Sequence, residues 1–369
     1  RRPAGAGSGN GRIGERRRGM TTADSAALLP PPARDRVVRR RPFVVRNARL
    51  LLVWGLLLAL LAVYVIRAPQ FRPREQRTIV NSGLTLATAS LGQTLVVLTG
   101  GIDLSVGPMV SLTNSIASAL TDKRSPNASM AKAALVALLV GAAGGFVNGA
   151  LVAYGRLQPI IVTLATASIW SGIALYIRPT PGGYIPPAFS ELLTGTAFQS
   201  HGPPGVPAVP KGAFVVLGLI LFWLLFRQTR LATSIFAIGS SEGSAYMSGV
   251  NVQRAKVLAY TLAGLAAGVA GLIVSAQTAT GNAAVATSGI LTLNTIAAVV
   301  LGGASLLGGA GSFLGALAGA YVIAVIPNVL FFYGVSPFYQ QLFQGSILLI
   351  AVSLGAIGVF RIRNRLERL

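Results

Sequence analysis

The chain has no cysteine and a single histidine, His201, which sits in a Gly/Pro-rich stretch. Disulfides, thiol catalysis and Cys-ligated zinc are thereby excluded. With only nine acidic residues in the chain, neither a metal site nor a general acid/base pair is expected. Charge of either sign is scarce: 11% of the 369 residues are Asp, Glu, Lys or Arg, against about a quarter in ordinary soluble domains. With 53% apolar residues and a mean hydropathy of +0.66, too little polar surface remains for a soluble globule. The phosphate-binding pattern Gly-x-x-x-x-Gly-Lys-[Ser/Thr] is also missing, and the glycine-rich turn at 302–311 lacks its lysine. The chain is therefore expected to hold no catalytic residues and no cofactor, and to depend on a partner for any use of ATP.

What is present is a series of apolar runs, at about 50–66, 78–99, 104–120, 133–154, 159–177, 213–226, 257–278, 290–302, 313–333 and 342–360. A helix crossing a bilayer takes about 20 such residues, fewer where basic side chains flank it. The expectation is an all-α polytopic membrane helix bundle of about ten transmembrane helices, with both chain ends on one side. The net charge of +22 does not point to nucleic acid, because the basic residues lie at the chain ends and between apolar runs. It fits the preference of Lys and Arg for the cytoplasmic side instead. The N-terminal stretch and Arg361, Arg363, Arg365 and Arg368 place both ends in the cytoplasm, and Arg156, Arg227, Arg230, Arg254 and Lys256 fall on the same side. Arg67, Arg72, Arg74 and Arg77 break the rule, because their loop would be external. Three domains follow: a disordered basic tail over 1–48, a transmembrane domain over 49–361 and a short basic tail over 362–369. Met20 is a candidate start, and no cleaved signal peptide is expected, since no small-residue cleavage site follows the first run.

Glycines such as Gly141, Gly145, Gly149, Gly264, Gly268 and Gly271 mark close helix approach, because packing between helices in lipid relies on small residues. Polar residues inside the runs are nearly all neutral: Gln93, Asn114, Asn148, Thr163, Thr166, Asn294 and Thr295. Each alone reads first as glue between helices. Together they suit a hydroxyl-rich uncharged solute, and they offer none of the embedded acids or histidines that a proton-coupled carrier uses as relays. The one carboxylate at a membrane boundary, Asp103, lies in Gly100-Gly101-Ile102-Asp103-Leu104-Ser105-Val106-Gly107. As a helix N-cap it would accept an N–H from Ser105 or Val106; a direct part in transport is the other reading. The loop 227–256 is the longest internal connection, and Glu242 to Gly249 can form a short surface helix, either a drive element or a solvated connector.

The segment Gly101 to Gly107 resembles the signature of the permease subunits of ribose/xylose/galactose-type ABC importers. Three further blocks agree in order: Asn148-Gly149 through Pro159 to Leu164 and Gly172; Ser248 to Val252 with Lys256, Tyr260 and Gly264; and Ile296 to Ser305 with Gly308, Gly309, Gly311, Ser312 and Gly334 to Gln341. The resemblance covers about residues 50–360. It implies a multi-pass inner-membrane subunit that moves a monosaccharide into the cell. Its implied partners are a cytoplasmic ATP-binding subunit, an extracytoplasmic sugar-binding protein, a second permease copy or homologue, and membrane lipid, without nucleic acid. It further implies contact with the ATPase through Glu242, Ser244, Ala245, Ser248 and Gly249. The translocation path or signature turn is mapped onto Gly101, Asp103, Ser105, Gly107, Asn148, Thr163 and Asn294. Thr292-Leu293-Asn294 departs from the acidic Glu-Leu-Asp triplet usual before Ile296, and Gly239 to Ala245 is richer in glycine and serine than usual. A nucleoside, a polyol or a furanose-like signal molecule remains open as the solute, and an ATP-independent carrier or channel as the mechanism.

Overall fold

A computed structural model describes residues 48–68, 73–197, 209–283 and 289–336, with scattered positions up to 349. The tails, His201 and most of the run at 342–360 lie outside the described residues. The described elements are twelve helices and one two-residue hairpin: α1 (Ala48–Arg67), α2 (Pro73–Leu98), α3 (Val106–Leu120), α4 (Pro126–Ala153), α5 (Pro159–Ile177), α6 (Pro187–Thr194), β1 (Thr196–Ala197), β2 (Val209–Pro210), α7 (Gly212–Phe226), α8 (Arg230–Ser240), α9 (Glu242–Met247), α10 (Val252–Thr278), α11 (Ile290–Leu301) and α12 (Phe313–Phe332). The all-α bundle is as expected.

Helix boundaries follow local chemistry. Pro126, Pro159 and Pro187 occupy first turns, where a missing N–H costs nothing. Thr229, Ser241, Asn251 and Ser312 cap α8, α9, α10 and α12 by accepting an N–H from the first turn. Pro327 lies within α12 without ending it, as neighbouring helices permit in membrane bundles.

Among the described helices, α1, α4, α5, α10 and α12 are long and apolar enough to cross a membrane, and α7 with α8 makes a sixth span if that pair, bent by 77°, counts as one. The count of ten drawn from the apolar runs is not confirmed. The run at 342–360 lies mostly outside the described residues, and three described runs account for the rest of the difference from six. The 26 residues of α2 are long enough, but Arg74, Glu75, Arg77, Asn81 and Ser82 make its first turns polar. The 15 residues of α3 and the 12 of α11 reach only about 22 and 18 Å at 1.5 Å per residue, short of the roughly 30 Å hydrocarbon layer. Both short helices are followed or preceded by glycine-rich irregular backbone. Such backbone is tolerated at membrane depth only where protein covers it, and α3 is buried over Val106 to Ser118.

Helices α2, α3, α10 and α12 form the interior. One apolar core joins α2, α7, α8, α11 and α12 around Leu95, Trp223, Phe226, Phe313 and Ile323, and another joins α3, α4 and α10 around Met109, Leu112, Ile116 and Ala270. Most of α1 and α5 is exposed, with Ile161, Leu164 and Ile169 of α5 on the surface that lipid would cover. The expected glycine packing is present between α4 and α10. A Cβ on Gly141 would lie 2.6 Å from the Gly264 carbonyl, one on Gly149 would lie 2.8 Å from the Val257 Cα, and one on Gly145 would overlap the Tyr260 carbonyl. The two backbones therefore touch directly.

Candidate translocation and coupling site

Helix α10, 27 residues long, extends about 40 Å and defines two ends of the bundle. At its start lie α8 and α9. At its finish the Gln277 amide donates to the Asn81 carbonyl (2.7 Å) and accepts from the Thr85 hydroxyl (3.0 Å), so α2 runs antiparallel to α10. The far end of α2, at Leu98, therefore returns to the end that carries α9.

There α2 stops. Gly100 takes a left-handed conformation (φ +83°), and the chain passes through Gly101 to Ser105 before α3 begins. Asp103 is 2% exposed, and its Oδ1 accepts from both the Ser105 N–H (2.8 Å) and the Ser105 hydroxyl (2.6 Å). The expected N–H from Ser105 is present. The cap position, however, belongs to Ser105, and Asp103 closes a turn two residues earlier. Asn148 of α4 donates to the Ser105 hydroxyl oxygen (2.8 Å). Thr163 of α5 accepts the Leu104 N–H (3.0 Å). With its amide oriented by the surrounding donors and acceptors, Gln93 of α2 brackets the Asp103 backbone, donating to its carbonyl (3.0 Å) and accepting its N–H (3.3 Å). The Tyr260 hydroxyl of α10 lies where a Cβ on Gly101 would be 2.5 Å away, so a side chain there would push on the fully buried Tyr260 ring.

Gly101, Asp103, Ser105, Gly107, Asn148 and Thr163, singled out from the sequence, thus meet in one buried polar network. Asn294 does not join it and sits half-buried on α11. Its neighbour Thr292 does, accepting the Gly107 N–H (3.0 Å) at the first turn of α3. Only the departure at the Thr-Leu-Asn triplet signalled Thr292, and Tyr260 was marked only as part of a motif block. Thr292→Val is expected to lower stability by about 1–3 kcal/mol, because it leaves a buried N–H without an acceptor. Thr292→Ser should retain most of it, and thermal unfolding midpoints of the purified protein measure both.

The predicted surface helix exists as α9. Ser241 caps it, with its hydroxyl oxygen accepting the Ser244 N–H (3.3 Å), and Ser248 back-bonds to the Ser244 carbonyl (2.8 Å). Gly249 turns the chain at φ +81°. Glu242 pairs with Lys256 of α10 at 2.7 Å on the surface, which orients the helix more than it stabilises it. Ala245 faces inward, packed with Ile238, Val252 and Ala255. The large apolar side chains that α9 leaves exposed are Tyr246 and Met247, which sequence reasoning passed over.

The opposite end holds a second polar group. Asn114 donates to the Ser275 hydroxyl oxygen (2.8 Å) and the Thr280 carbonyl (3.1 Å) and accepts the Asn282 N–H (2.7 Å). Beside it, Arg77, Thr78, Asn81, Ser82, Thr194 and Gln277 line an open cleft of about 410 Å³. Among the described residues no cluster of His, Cys, Asp or Glu could hold a metal ion.

A family model described as the permease component of branched-chain amino acid transport systems matches residues 77–352, well over half of the chain. The chain belongs to this permease family. The ribose import permease protein RbsC of Escherichia coli K12 is 36% identical over 305 residues, covering 80% of this chain and 90% of that protein. RbsC of Bacillus subtilis 168 is 34% identical over 307 residues, covering 81% and 90%. The galactose/methyl galactoside import permease protein MglC of Salmonella typhimurium LT2 is 31% identical over 319 residues, covering 83% and 93%. No solved structure matches the chain. The resemblance drawn from the motif blocks therefore holds, and the chain is a multi-pass membrane permease component.

Proposed function

We propose that this chain is the membrane-spanning subunit of an ATP-driven importer that moves a monosaccharide into the cell across the inner membrane. The observation that carries the reading is the similarity, over four-fifths of the chain, to ribose and galactose import permeases. The polar residues inside the bundle support it. Amides and hydroxyls dominate, with Asp103 the one carboxylate in the network, which suits an uncharged solute bearing many hydroxyls. The family description names branched-chain amino acids. The relatives that cover four-fifths of the chain, however, are ribose and galactose import permeases, so the sugar reading is the stronger.

Both chain ends lie in the cytoplasm by the distribution of arginine and lysine. Helices α8 and α9 then face the cytoplasm, and the cleft at Asn81 and Gln277 opens outward, where a solute receptor would deliver sugar. A separate ATP-binding subunit engages α9 through Glu242, Tyr246 and Met247, and a second copy of the permease or a homologue completes the path. Hydrolysis belongs to that partner, and its closing and opening shift the permease between outward and inward access.

Co-purification tests the partnership. The ATP-binding subunit should be retained by the intact chain and lost when residues 242–247 are replaced by a Gly/Ser linker of equal length. Equal retention by both would contradict the assignment of α9.

A further inference from the structure

Three segments far apart in sequence meet at one point, backbone against backbone. Gly239 lies in the last turn of α8, and a Cβ there would overlap both the Leu98 carbonyl and the Gly309 nitrogen. Gly308 (φ +88°) comes so close that its Cβ would lie 2.7 Å from the Gly100 nitrogen and 2.8 Å from the Gly239 Cα. The Gly309 N–H donates to the Leu98 carbonyl at 3.0 Å, satisfying one of the acceptors left open at the end of α2. The turn 302–312 that supplies Gly308 and Gly309 is closed on itself by the Ser305 N–H to the Ala310 carbonyl (2.8 Å) and the Gly308 N–H to the Ser305 carbonyl (3.0 Å).

We propose that Gly100, Gly239 and Gly308–Gly309 form a rigid joint through which displacement of α8–α9 reaches the buried turn that holds Asp103. No side chain intervenes at these contacts, so no rotamer change can absorb the motion, and close-packed interiors transmit such displacement. Leu98 ends α2, and Gly100 begins the turn. Movement of the α8 end therefore shifts the segment bonded to Gln93, Asn148 and Thr163. Gly239 acts here as a positioning residue for transport: it lets the drive segment seat against the turn. The inference rests on the reading of α8–α9 as the segment moved by an ATP-binding partner.

The absence of native cysteine makes the joint measurable with spin labels. Labels at Thr233→Cys, exposed on α8, and Leu307→Cys, 89% exposed on the turn, report across the joint. A label pair at Thr233→Cys and Lys123→Cys, beyond the distal end of α3, reports movement along the bundle. In the complete complex in lipid nanodiscs, pulsed EPR distances are compared without nucleotide and with a non-hydrolysable ATP analogue. The 233–307 distance is expected to stay constant while the 233–123 distance changes. Equal changes in both would overturn the joint while leaving an ATP-driven α8 intact. No change in either would overturn the drive reading and the joint with it. In the same complex, Gly239→Ala is expected to preserve assembly and ATP hydrolysis while lowering uptake of labelled D-ribose or D-galactose by about tenfold or more, an ordinary coupling effect. Normal uptake by an assembled Gly239→Ala complex would overturn the proposal. Where that variant fails to assemble, the label distances decide.

Discussion

Asp103→Ala is expected to destabilise the permease by about 3 kcal/mol, because two buried donors, the Ser105 N–H and hydroxyl, lose their shared acceptor together. The hydroxyl keeps its acceptor role toward Asn148, so the loss is concentrated in the turn and does not spread to α4. The Gly101 N–H donates back to the Val96 carbonyl and the Ser105 carbonyl accepts from Met109, so without the carboxylate the backbone between them is held mainly by Gln93 and Thr163. Uptake is expected to fall with stability. Asp103→Asn keeps an oxygen in the same place and should restore most of both. The comparison separates a turn-closing carboxylate from one whose charge acts in transport: recovery of stability without recovery of uptake would assign the charge a direct role.

The second large effect concerns the α4–α10 contact. Gly145→Leu is expected to abolish the folded bundle, at a cost of about 3 kcal/mol or more from overpacking. A Cβ at that position already overlaps the Tyr260 carbonyl and lies 3.0 Å from the Gly264 Cα. Neither neighbour is a side chain that could rotate away. Gly218→Leu on α7 is the matched control, since nothing lies within 4 Å of its Cβ position. The yield of monodisperse protein after extraction should be near normal for Gly218→Leu and collapse for Gly145→Leu. Because α10 also carries Tyr260, which packs against Gly101, separating α4 from α10 would disturb the signature turn as well.

The Asp103 turn was legible in the sequence because glycines and one acid interrupt apolar runs, and interruption of that kind is costly in a membrane unless it is built in. The α9 helix was legible from its polar composition between basic flanks. The number of crossings was not. Apolar composition alone does not distinguish a lipid-spanning helix from a shorter one, and here α3 is short and buried in protein while α11 is short and only partly buried. Position 103 was read as the cap itself, whereas the chain makes one more bend before α3 begins. Thr292 and Asn294 are two residues apart on α11, and only the register of that helix against α3 decides which one meets Gly107. The joint at Gly239 was illegible for a related reason. Three glycine segments of different origin meet only in the tertiary structure, and nothing in any one of them announces the other two.

Uptake of labelled pentoses and hexoses by proteoliposomes holding this chain, its ATP-binding subunit and its solute receptor tests the central claim most directly, with ATP present or absent on the side of the ATP-binding subunit. The account predicts accumulation against a gradient that requires both ATP and receptor, with the chain alone inactive. Equilibration by the chain alone, indifferent to ATP, would contradict it and make the protein a carrier or channel.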